Sequence, residues 1–168
     1  MIGHFVPSRL IVATLAPEST NFLARGVSYL FADLRHLPFA TASFDQVLCI
    51  SVLEHVGMDN RVYGSSATAT TSPEAEAQTA LSELQRILRP GGRLLLSVPF
   101  GQRTTMGWQR QFDRNDLDLL LSGISASAVK ITVYARDAGG WQLSSLESAA
   151  QCSYANGAHA VACVDVMP

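Results

Sequence analysis

An α/β fold, with a mostly parallel sheet between helices on both faces and an antiparallel last strand, is what this sequence predicts. Three observations predict it. Short apolar, β-branched runs recur between breakers, one long segment repeats its apolar residues at helical spacing, and the two kinds of segment alternate until Gly123. At 168 residues and 48% hydrophobic, the chain is sized for one core, so residues 1–168 are expected to form a single domain.

Residues 9–16 (RLIVATLA) form an apolar run stopped by Pro17, too short for a buried helix and therefore read as a strand. A short helix over residues 18–25 follows, ended by Gly26, and residues 27–34 (VSYLFADL) give a second strand. Residues 44–52 (FDQVLCISV) are the third. Near-continuous apolar strands of this kind suit a parallel sheet covered on both faces. Residues 57–71, rich in Gly, Ser, Thr and Ala and without period, read as a long loop of the sort that often forms a lid. Ser72-Pro73-Glu74 then starts a helix, with the hydroxyl at the cap, proline in the first turn and an acid against the dipole. Ala77, Ala80, Leu81, Leu84, Ile87 and Leu88 recur at spacings of three and four and lay one face on the sheet. Arg86 and Arg89 fall in its last turn, and Pro90-Gly91-Gly92 is expected to stop it. Residues 93–99 (RLLLSVP) make the fourth strand, residues 113–121 a short helix capped by Asp113, residues 130–135 (KITVYA) the fifth strand and residues 160–167 (AVACVDVM) the sixth. Between the last two, Gly139-Gly140-Trp141 reads as loop.

A formal charge of −2, with Lys and Arg neither in excess nor clustered, gives no reason to expect nucleic acid or an anionic membrane as partner. A small-molecule substrate is expected instead. Three separated cysteines, Cys49, Cys152 and Cys163, fit neither a disulfide framework nor a zinc site and read as reduced thiols. The first residues hold an apolar run of only about eight, against the roughly 18 needed to span a bilayer. A cytoplasmic protein is the expectation.

Four segments carry more than a fold class. Residues 32–39 (ADLRHLPF), Ser43-Phe44-Asp45, Leu53-Glu54-His55 and residues 83–94 (ELQRILRPGGRL) together resemble the motif series of class I, Rossmann-like, S-adenosylmethionine-dependent methyltransferases. Each is weak alone, whereas four in order over about 65 residues are specific. The resemblance covers roughly residues 9–100. Later, Gly107-Trp108, Phe112-Asp113 and residues 160–167 are similar to a subset of these enzymes, often bacterial and sometimes encoded near sugar-polymer genes.

The resemblance implies S-adenosylmethionine as cofactor and assigns it residues. Asp33 ends a strand, where open α/β sheets bind ligands, and is implied to accept the adenine amino group while the backbone N–H of Leu34 meets a ring nitrogen. Asp33 serves equally well as a simple turn cap. Ile50, Ser51 and Val52 are implied to border the methionine portion, although Val52 and Leu53 also read as core. His55 stands where an imidazole can take a proton from the acceptor, as catalytic base, or make a structural hydrogen bond. Glu54, His55 and Asp59 follow no established ligand spacing, so no metal is expected. Trp108 and Trp141, with Phe100 and Phe112, are candidates for an acceptor pocket or for core.

Two features depart from the family pattern. Its first strand, ending in an acid and followed by G-x-G-x-G, has no counterpart before Arg9, so the domain reads as N-terminally truncated with its first strand missing. Thr14 stands where a ribose-binding acid is usual, and a neutral hydrogen bond contributes about 1 kcal/mol against about 1.5 to 3 for a charged one. The missing strand would be central, which leaves three repairs: residues 3–8 move inward, residues 9–16 close up beside residues 44–52, or a second chain covers the edge. Closing up, or a homodimer, is expected. The resulting expectation is methyl transfer to a small-molecule or saccharide-related acceptor, with a catalytically inactive remnant serving as a binding or oligomerisation module as the alternative.

Overall fold

The computed structural model describes residues 7–16 and 22–167. Strand β1 (Leu10–Thr14) pairs in parallel with β2 (Val27–Phe31), in register from Leu10 against Val27 to Thr14 against Phe31. The connection ends in a single 3-10 turn, Leu23–Arg25, closed by Gly26 at φ 79°, a backbone angle that glycine adopts without steric cost. The rest of the helix expected over residues 18–25 lies largely outside the described residues.

Strand β3 (Phe44–Ile50) leads through a loop to helix α1 (Pro73–Ile87) and strand β4 (Leu88–Pro99). A short hairpin, β5 (Thr104–Thr105) with β6 (Arg110–Gln111), precedes helix α2 (Arg114–Ser122). Strands β7 (Ala128–Asp137) and β8 (Gly140–Ser144), a turn of helix α3 (Leu146–Ala149) and strand β9 (Ala160–Met167) complete the described elements. The main sheet runs β3-β4-β9-β7-β8, with β3 parallel to β4 and the remaining pairs antiparallel. The last strand is antiparallel, as expected, and it sits inside the sheet between β4 and β7.

Three local expectations change. Ser72 precedes α1, but its hydroxyl makes no capping bond; its carbonyl accepts from the Glu76 N–H at 3.2 Å. Helix α1 ends at Ile87, so Arg89 lies beyond it and Pro90-Gly91-Gly92 is not its stop. Those three residues form an excursion within β4: Phe44 pairs with Leu88 while Gln46 pairs with Arg93. Gly91 turns at φ 73°, and a Cβ on Gly92 would stand 2.8 Å from the Arg89 carbonyl. Finally, Gly139-Gly140 is the tight turn of a hairpin whose second arm, β8, pairs Trp141 with Arg136. Asp113, in contrast, caps α2 as expected, in a reciprocal box with Asp116.

One face of the main sheet carries the core. Val47 and Cys49 of β3, Leu94, Leu96 and Val98 of β4, Ala162, Val164 and Val166 of β9 and Val133 of β7 meet the apolar faces of α1, α2 and α3 there. The sequence reading has helices on both faces; the described helices all join this one cluster, and the opposite face exposes Leu48, Ile50 and Tyr134. Closing up does not occur either. Among the described residues β1 bonds to β2 and β3 to β4, and no ladder joins β1 to β3. The β1–β2 arm is held instead through the segment after it. Arg86 of α1 donates to the carbonyls of Leu37 and Phe39 at 3.1 and 2.8 Å, Glu83 accepts from the Leu37 N–H at 3.1 Å, and Leu37 is in the core.

Candidate functional site

The carboxyl ends of β1 and β2 place Thr14 and Asp33 side by side, since the Ala32 N–H donates to the Thr14 carbonyl at 3.0 Å. Thr14 turns its hydroxyl to the Ala16 carbonyl, also at 3.0 Å. Asp33 is half-buried and its Oδ1 accepts from the Arg35 backbone N–H at 2.9 Å, so it does cap its own turn. The Arg35 guanidinium grips both carboxylate oxygens and reaches Glu76 of α1 at 2.7 Å. That guanidinium holds the Asp33 carboxyl below its usual range, and Asp33 and Glu76 together push the Arg35 pKa up. The result is an acceptor that stays ionised at neutral pH at the strand end. Leu34 packs against the core.

At the carboxyl end of β3 the chain turns sharply. Ser51 adopts φ 51°, a left-handed conformation uncommon for a residue with a Cβ, and its N–H donates to the carbonyl and hydroxyl of Ser97 on β4 at 3.1 and 3.2 Å. Buried Ser97 therefore fixes the bend. Ile50 and Val52 on either side are exposed rather than core, whereas Leu53 is fully buried. The next turn carries His55, half-buried, with Nδ1 at 3.0 Å from the Trp108 carbonyl, its ring stacked on Trp108 and Tyr63 edge-on to both. Burial pulls its pKa down, so the ring is neutral at pH 7.

A cleft of about 400 Å³ opens beside these rings, lined by Asp59, Arg61, Val62, Met106, Gly107 and Trp108. It lies between the two loops, residues 57–71 and 101–111, and not at Asp33. The first loop is not structureless: Asn60–Tyr63 is a 3-10 turn capped by Asp59. Of the four aromatic candidates only Trp108 lines the cleft; Phe100 and Phe112 are core and Trp141 is exposed on β8. Among the described residues no three His, Cys, Asp or Glu side chains are placed to hold a metal. None of their helices is long and apolar enough to cross a membrane.

The sequence-assigned residues thus form two groups, Thr14, Asp33 and Leu34 on the arm and Ile50, Ser51, Val52 and His55 beyond β3. The bonds fixing the first run to α1, those fixing the second to β4 and the Trp108 loop. What the sequence reading misses is buried polarity around His55: Glu54 at 2% exposure, Arg110 at 4%, and Gln109 bonded to Tyr154. Only the placing of a glutamate directly after buried Leu53 hinted at it.

Residues 7–96 match the family model described as methyltransferase domain. The chain belongs to this methyltransferase family. Relatives share the same portion: an O-methyltransferase of Aspergillus nomiae is 38% identical over 98 residues, 58% of this chain and 36% of that protein. The malonyl-[acyl-carrier protein] O-methyltransferase of Herminiimonas arsenicoxydans is 32% identical over 96 residues, 56% of this chain and 30% of that protein. This methyltransferase-family chain therefore spans about a third of the length of these relatives. Among solved structures, the 1,6-didemethyltoxoflavin-N1-methyltransferase of Burkholderia thailandensis, bound to 1,6-didemethyltoxoflavin and S-adenosylhomocysteine, superposes with a TM-score of 0.55 at 16% identity, covering 95% of this chain and 61% of that one. A methyltransferase of Thermotoga maritima, a possible histamine N-methyltransferase, gives 0.52 at 19% identity over 87% and 67%. At such identities the likeness establishes the Rossmann-like methyltransferase fold.

Proposed function

We propose that the protein binds S-adenosylmethionine at the carboxyl ends of β2 and β3 and transfers its methyl group to a small-molecule, saccharide-related hydroxyl or amine in the cytoplasm. The observation that carries this reading is the placing of an ionised Asp33 at one strand end and the Ser51 bend, flanked by exposed Ile50 and Val52, at another, in a chain of this family. The donor set fits the group: Asp33 offers a carboxylate to an adenine amino group, Leu34 a backbone N–H to the ring, and Ile50 and Val52 an apolar wall to the methionine chain. Thr14 contributes a hydroxyl on the ribose side. When bound, the cofactor supplies a methyl group on a positively charged sulfur. The protein contributes mainly proximity and orientation. The cleft at Trp108 receives the acceptor, and neutral His55 stands ready to take its proton. The charge of −2 suits a small acceptor better than nucleic acid or an anionic membrane.

Calorimetric titration with S-adenosylhomocysteine tests the reading. Micromolar binding is expected in the unaltered protein, weakened by about tenfold or more in Asp33→Ala, which removes a charged hydrogen bond. No heat at millimolar ligand removes the proposal. The exposed β3 edge, with Leu48 and Ile50 beside it, is further proposed as the contact of a homodimer. A single monomer mass by light scattering across concentrations ends that part.

A further inference from the structure

Two turns build the cleft beside Trp108. The 3-10 turn presents Asp59, Arg61 and Val62, the tip of the β5–β6 hairpin presents Met106, Gly107 and Trp108, and the Asp59 N–H joins them by donating to the Gly107 carbonyl at 3.0 Å. The ring centroids of His55, Trp108 and Tyr63 lie 5.3 to 6.0 Å from one another, with His55 within 17° of parallel to the indole and Tyr63 edge-on to both. Tyr63 therefore stands beside the stack, and neither ring covers the indole face turned away from His55. An open aromatic face in a mostly apolar cleft of about 400 Å³ suits a flat ring in offset stacking. The polar lining is one-sided. Asp59 Oδ1 accepts from the backbone N–H and Nε of Arg61 at 3.1 and 2.9 Å, and Oδ2 accepts from Nε at 3.0 Å and from Nη2. The carbonyls of Arg61, Gly107 and Trp108 already accept from Gly64, Asp59 and His55. Arg61 Nη1, in contrast, donates to none of the described residues, and its side chain is 68% exposed. The cleft thus has its acceptors in use and donors to spare. A sugar hydroxyl must donate as well as accept, so it is matched less well than a group that only accepts. A carboxylate is such a group, and the edge of a guanidinium holds it with two parallel hydrogen bonds.

We propose that the cleft takes an aromatic acid, its ring stacked on Trp108 with Val62 and Met106 as apolar walls and its carboxylate on the Nη1–Nη2 edge of Arg61. The inference rests on the reading of this cleft as the acceptor site and deepens it: the part of the acceptor that is held is the aromatic acid, and any sugar joined to it stays in solvent. Arg61 and Trp108 are binding residues here and set which acceptors enter. Neither makes or breaks a bond.

Nitrogen-15 spectra of the protein titrated with para-hydroxybenzoate, without cofactor, test it. The chain has two tryptophans and so two indole N–H signals, and Trp141→Phe, on exposed β8, tells them apart. The expected result is a saturable shift of the Trp108 signal with the Trp141 signal unmoved, and no shift with methyl β-glucopyranoside. Binding is expected to weaken by about fivefold or more for para-hydroxybenzyl alcohol, which lacks the carboxylate, and in Arg61→Gln. A Trp108 signal unmoved by the acid, or moved as readily by the glucoside, overturns the proposal. Equal binding of acid and alcohol, or an unchanged Kd in the variant, overturns it too. The acid and alcohol are compared in the unaltered protein, so a failure of Arg61→Gln to fold leaves the test intact. Heat with S-adenosylhomocysteine but no Trp108 shift sinks this inference alone, and a Trp108 shift without that heat sinks the cofactor reading alone.

Discussion

Residues 9–16 and 93–99, RLIVATLA and RLLLSVP, are nearly matched in apolarity, and both form strands, yet their surroundings differ completely. In β4, Leu94, Leu96 and Val98 are sealed between β3, β9 and the helices, whereas no residue of β1 is buried. Apolar β-branched runs specify strand because such side chains pack well on a pleated surface. Burial is settled by the neighbours that arrive from elsewhere in the chain. β4 has a parallel partner on one side, an antiparallel one on the other and α1 above; among the described residues the strand pairing of β1 is with β2.

The sharpest break between the two regions is thermodynamic. Leu96→Ala is expected to lower unfolding free energy by about 3 kcal/mol, within the range for a buried leucine, and Val12→Ala by less than about 1. Equal costs in urea unfolding would mean that β1 is covered in solution. A second contrast is one of sign. Glu54 is held neutral by burial, so its contribution to stability is full below its unfolded value of 4.5 and is lost as pH rises through about 7. Asp33, held ionised by Arg35, contributes above its unfolded value of 3.8, and that contribution is lost on acidification through its lower folded value. Relative to Glu54→Gln, the unaltered protein should lose roughly 3 kcal/mol between pH 4.5 and 8. Stability curves that run parallel would remove the buried acid from the account.

Smaller effects sharpen the same division. Asp113→Ala removes a reciprocal cap on the covered side and should cost about 1 kcal/mol, while Ser72→Ala, whose hydroxyl caps nothing, should change thermal stability little. Smallest is Leu48→Lys on the exposed face of β3, expected within about 0.5 kcal/mol in the monomer. A larger loss that depends on protein concentration would instead favour association through that face.

Local chemistry made most of this legible. The period of α1, the Gly26 turn and the Asp113 cap need only their immediate neighbours, and all are where the sequence puts them. Strand β8 was hidden because Gly139-Gly140 suits a loop and a hairpin turn equally, and only pairing with residues 133–137 distinguishes them. Pro90-Gly91-Gly92 likewise suits a helix stop, but the helix had already ended when Leu88 found Phe44. At the site, the residue types at the strand ends were readable. The Arg35 grip on Asp33 was not, since it depends on Glu76 arriving from α1, and the setting of Glu54 and His55 depends on Trp108 and Arg110 returning from more than fifty residues later.

The place of β9 has a consequence for biogenesis. It follows β4 and β7 in the chain and yet lies between them, so on the ribosome those two strands emerge with nothing to join them. Until residues 160–167 are released, the nascent polypeptide holds two apolar edges apart, a slow, non-local closure and an interval of exposure to chaperones and misassembly.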